Sequence, residues 1–126
     1  MKYDPHRNPK PQKWQSLTDL ERADLIEAYH SAHGIPLPNP RLHAFIHTIV
    51  ENQIAMRNQL PVRATLARLM TEGLDRHDAL HAIGSVLAVQ MHEILTGSFP
   101  HIEASQDYFE ALAKLTADSW LHSQGA

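Results

Sequence analysis

The sequence predicts an all-α protein, a compact bundle of four to five helices, on three observations. Of 126 residues, 43% are hydrophobic but only 6% aromatic, so the core must come from Leu, Ile, Val, Ala and Met, which suits helix packing. Apolar residues recur at three- and four-residue intervals between Pro and Gly breaks, the period of a helix face. No apolar–polar alternation of useful length occurs, so strands are not expected.

Residues 1–13 hold Pro5, Pro9 and Pro11. Proline fixes φ and removes a backbone donor, so this stretch reads as a flexible, extended arm that packs only through Tyr3 or Trp14. Residues 14–126 then form a single helical metal-binding domain. Its first helix starts with Ser16 or Thr18 as cap, with Glu21 at the capping-box spacing from Thr18. It carries Leu20, Ala23, Leu25, Ile26 and Tyr29 and ends near Gly34. The Pro-rich stretch that follows cannot be helical. Asn39 caps a second helix, Pro40 takes its first position, and it runs to about Asn58. Pro61 and Gly73 bound a third helix with Leu66, Leu69 and Met70 inward. Asp75 caps a fourth, which continues through Leu95 to a stop at Gly97. After Pro100, a last helix runs from about Ala104 to Leu121.

Net charge is −3 and cysteine is absent. The first leaves no basic field for nucleic acid. The second excludes disulfides and thiolate ligands, so any metal must be held by imidazole, carboxylate, carbonyl or water. No stretch reaches the ~18 apolar residues of a membrane span, and the N-terminus lacks the apolar stretch of a signal peptide. A cytoplasmic protein is the default expectation, and a homodimer is compatible with the sequence.

The outlier is histidine, ten residues in 126. His43 and His47 lie one turn apart on the second helix and border its apolar arc of Leu42, Phe45, Ile46, Ile49, Val50 and Ile54, and His77 and His81 lie one turn apart on the fourth beside Leu80, Ile83, Leu87, Met91 and Ile94. Chance alone gives about one such pair in a chain of this composition; the shared helix-edge setting of both pairs, and Glu51 one turn beyond His47, make the case. A His pair on a rigid helix chelates one ion at little ordering cost. Imidazole suits Zn, Fe or Ni, so the expected cofactor is a divalent transition metal, one or two ions per chain, held by His43, His47, Glu51, His77 and His81. Because His43 and Glu51 are ~12 Å apart along the helix, either two ions bind or Glu51 lies outside one ion's coordination shell. Glu51 is also the candidate catalytic base, since a carboxylate beside a metal with an open position can take a proton from bound water.

The remaining polar residues have plainer readings. His30 and His33 end the first helix and favour its dipole, becoming extra ligands only if that helix folds back. Asp78 serves the helix start, His92 is too far along its helix to join the site, and Gln53 is a near-core amide in need of partners.

The segments Asn39–Gln53 and Arg76–Ile83 resemble an uncharacterised bacterial family of small helical proteins with an Asn-Pro-x-Leu-His-x-x-x-His-x-x-x-Glu-x-Gln motif followed by His-Glu-x-x-His. Here the second motif reads His77-Asp78. The resemblance implies that His43, His47, Glu51, His77 and His81 act as one set, and it brings no activity. A weaker likeness is to hemerythrin-type di-iron bundles, whose middle terms His47/Glu51 and His77/His81 fit, whereas the spacing of His101 and Asp107 departs from the last. The His77-Asp78 pair is also similar to that of His-Asp phosphohydrolases, in a different local setting. The expected function is metal binding, with the specific activity open between metal-dependent hydrolysis, redox chemistry and a metal-stabilised bundle without catalysis. The alternative is a non-enzymatic interaction or structural module.

Overall fold

A computed structural model describes residues 1–95 and 101–125. Seven α-helices follow in order among these residues: α1 Pro11–Gln15, α2 Asp19–Ala32, α3 Pro40–Ala55, α4 Val62–Thr71, α5 Arg76–Leu95, α6 His101–Lys114 and α7 Ala117–Gly125, with no strand. The expected all-α bundle is what forms. No helix among the described residues is long and apolar enough to cross a membrane.

The caps fall where their chemistry puts them. Thr18 and Glu21 complete a reciprocal capping box on α2, and the Asn39 side chain accepts from the Leu42 N–H with Pro40 leading α3. Asp75 accepts from the Asp78 N–H at 2.7 Å to start α5. Gly73, with φ +115°, supplies the left-handed turn between α4 and α5.

Several boundaries and faces differ from expectation. Pro11 opens the short helix α1, so part of the N-terminal stretch expected to be extended is helical. This stretch also packs inward through Tyr3, Pro5 and Trp14, all buried. The second helix ends at Ala55, and Arg57, at φ +55°, opens a 3₁₀ turn. The single last helix is two, because Thr116 and Ser119 cap each other's backbone N–H groups at 3.0 and 3.1 Å and Glu72 accepts from the Ala117 N–H. Leu20, Leu42 and Met70, placed inward from periodicity, are 60, 46 and 41% exposed. In each case the helix turns its true buried stripe toward a neighbour that periodicity cannot identify. The expected stop around Gly97 and Pro100 lies outside the described residues.

Helix α3 is the axis of the arrangement. It packs on α2 along one flank and on α5 and α4 along the other, and α6 closes over α5. It also joins two apolar cores. Ala44 belongs to one with Tyr3, Trp14, Ala23 and Ile26; Val50 and Ile54 belong to the larger one with Leu66, Leu69, Leu80, Ile83 and Leu112. Between them α3 buries His47, Thr48 and Glu51.

The α3–α5 crossing depends on Gly84, where a Cβ would meet Ile46 Cγ2 at 3.1 Å. Gly84→Val should therefore cost about 1–3 kcal/mol through overpacking, read as a lowered urea midpoint. An unchanged midpoint would show that the two helices can separate there freely.

Candidate metal centre

Of the four histidines expected at the edge of the buried face, His43 and His81 are half-buried there and His47 and His77 lie inside it. His47 is 3% and His77 8% exposed. The reason is that α3 is covered on both flanks, so a row bordering one apolar arc becomes interior once α2 and the N-terminal residues close over it. One ligand atom each from His30, His47, His77 and His81 lies within 4.8 Å of the others. His43 adjoins this group, its Nε2 standing 3.3 Å from His30 Nε2.

His30 enters the group because α2 folds back along α3. Its signal was in the sequence: Ala23, Ile26 and His30 follow helical face spacing, and all three are buried. Its Nδ1 lies 2.8 Å from the Ile26 carbonyl oxygen, so Nδ1 carries the proton and donates, leaving the Nε2 lone pair toward the cluster. That nitrogen is 3.3 Å from His77 Nε2 as well as from His43 Nε2. His33 does not join; it is exposed, stacks on Tyr29 and bonds the Tyr29 carbonyl. His92 is likewise exposed, and Gln53 finds its partner in the Tyr108 hydroxyl, which donates to it at 2.7 Å.

Glu51 lies apart from the four-histidine group. Arg76 holds it bidentately, Nη2 to Oε1 at 2.7 Å and Nη1 to Oε2 at 2.9 Å, with both side chains almost fully buried. Arg76 also donates to the Pro5 carbonyl and to Asn8 Oδ1, binding the N-terminal residues to the same point. The Tyr3 hydroxyl donates to Glu51 Oε2 and stands 3.2 Å from His47 Nδ1. Since Tyr3 gives its proton to the carboxylate, it accepts from His47 Nδ1–H, and the His47 Nε2 lone pair faces inward. Carboxylate, phenol and imidazole thus form one chain that fixes a ring and its tautomer, the arrangement that supports metal-ligating histidines.

Two nitrogens in the cluster, Nε2 of His47 and of His81, are buried with no hydrogen-bond partner. A buried unsatisfied polar atom costs roughly 1–3 kcal/mol, and two aimed at one point call for a ligand. A metal fits. Tetrahedral zinc with Zn–N bonds of 2.0–2.1 Å needs N···N edges of about 3.3 Å, the separation His30 and His77 already have. The all-nitrogen donor set suits Zn, Fe, Ni or Cu and disfavours the oxygen-seeking Mg and Ca.

All five imidazoles are held in the neutral form that ligation requires. Burial, then the neighbouring His30, lowers His43 and His77 to about 4, and burial with His77 lowers His81 to about 3. Burial also lowers His30, and lowers His47 well below the ordinary value.

A pocket of about 310 Å³ opens onto His43, His47 and His81, with Ile46, Leu80, Gly84 and Trp120 among its walls. No family model, curated protein or solved structure matches the chain.

Two outcomes follow. Arg76→Ala strands a buried carboxylate and should cost about 3–5 kcal/mol, while Arg76→Met with Glu51→Gln should recover most of it; equal denaturation midpoints for wild type and Arg76→Ala would contradict the buried pair. For chelator-stripped protein, histidines lowered from the ordinary ~6.5 bind fewer protons folded than unfolded. Their contribution is complete above pH 6.5 and is lost as pH falls toward 4, with a slope of up to ~1.4 kcal/mol per pH unit for each group. Urea midpoints that stay level between pH 7 and 5 would contradict this.

Proposed function

We propose that this chain is a metal-binding protein that holds one divalent transition-metal ion, Zn, Fe or Ni, on His30, His47, His77 and His81. The observation that carries the reading is the convergence of four imidazoles within 4.8 Å; the unpartnered Nε2 atoms of His47 and His81 support it. The ligands come from α2, α3 and α5, so the ion ties together α2 and α5, both of which pack on α3. In this reading His43 is a fifth imidazole on the pocket side, beside an approach to the ion for a small molecule, and hydrolytic or redox chemistry takes place there. Glu51 is a positioning residue that acts on His47 through Tyr3, rather than a base on metal-bound water, because both of its oxygens are already engaged.

Elemental analysis of untagged protein, expressed with metal supplementation, should give about one ion per chain. Alanine at His30, His47, His77 or His81 should abolish it, and His33→Ala should not. Glu51→Gln should leave the ion bound but weaken it about 10–100-fold, the effect of losing an outer partner of a ligand. Less than about 0.2 metal per chain in wild type would overturn the proposal. Retained stoichiometry in His30→Ala would instead return the ligand set to the two His-x-x-x-His pairs.

A further inference from the structure

An ion held by imidazoles alone keeps its full charge, because a ligating imidazole is neutral. Two positive charges inside a protein are costly without a counter-ion. Among the described residues no carboxylate belongs to the histidine group. Glu51 is already neutralised by Arg76. Asp75 acts electrostatically on His77 but is exposed, as is Asp4, and neither they nor Asp78 belong to the histidine group. A compensating charge on the ion itself would therefore come from outside, along the pocket that opens onto His43, His47 and His81.

That pocket has two kinds of wall. Its inner end is His43, His47 and His81, two of them with unpartnered buried nitrogens, and its sides include Ile46, Leu80 and Trp120. An inorganic anion would meet the charge of the ion and leave the apolar sides wet; a neutral apolar molecule would do the reverse. Resting on the metal reading above, we infer that the pocket binds a small organic carboxylate, its anionic head as a fifth ligand that expands the four-imidazole site and its apolar body against Ile46, Leu80 and Trp120. The available volume, about 310 Å³, is at the lower end of small-molecule sites.

The test uses the full chain loaded with Co(II), whose visible bands report its ligands, titrated with phenylacetate, acetate and phenethyl alcohol. Phenylacetate should perturb the bands with an affinity about tenfold or more above that of acetate, the effect of burying a phenyl group. The alcohol should not perturb them over the same range. Trp120→Ala should bring the preference for phenylacetate close to that for acetate while leaving the cobalt spectrum unchanged. Because that change could loosen α7, Ala88→Phe, which fills the same pocket from α5, should also suppress phenylacetate binding with the metal still bound. Equal affinity for acetate and phenylacetate, or bands that respond to neither, overturns the inference and leaves the metal reading standing. A chain that gives no cobalt bands at all overturns both.

Discussion

The Arg76–Glu51 ion pair is the constraint on which the histidine centre depends. It joins the start of α5 to the middle of α3, and through Pro5 and Asn8 it fixes the N-terminal residues against both. Taking two charges out of water is unfavourable. The bidentate geometry and the further bonds from Tyr3, Asn8 and the Pro5 carbonyl are the kind of compensation such a pair requires. Its position explains its reach. His77 is the next residue after Arg76, and His47 is one turn before Glu51, so fixing this pair sets the depth and rotation at which both imidazoles enter the interior.

The cluster is a place where the protein accepts instability. Five imidazoles crowd together where apolar packing would be more favourable, and two nitrogens there have no partner. Local consistency elsewhere, in the capping box of α2, the Asn39 cap and the Gly73 turn, makes this departure more informative, since natural sequences break such rules mainly at functional sites. The outer bonds are already arranged: Ile26 orients His30 and Tyr3 orients His47. An incoming ion would therefore meet ligands whose rings are set beforehand, which lowers the ordering cost of binding.

Much of the architecture was legible in the sequence because helix stops and caps are local. Thr18, Asn39, Asp75 and Gly73 act on residues within one turn. The failures lay where a distant partner decides. Leu42 and Met70 obey helical periodicity but face solvent, since periodicity gives a stripe and not the neighbour that covers it. His43, His47, His77 and His81 could be grouped from their spacing together with their shared place beside an apolar helix face. His30 could not be assigned with the same force, because its membership depends on the direction in which α2 returns after the Pro-rich turn. Glu51 shared the right face with His47, yet its partner, Arg76, lies 25 residues away and carried no motif of its own. Tyr3 is a further step removed, as its role exists only once that pair has formed.

The Tyr3–Glu51–Arg76 junction also orders events in time. Tyr3 and Arg76 are separated by 73 residues, so at about 5–20 residues per second a ribosome needs roughly 4–15 s between making the two. In the last part of that interval α2 and α3 have been made and Arg76 has not, so His30, His43 and His47 precede the contacts that later enclose them. The junction that encloses these histidines is therefore completed only once Arg76, and with it the start of α5, has been made.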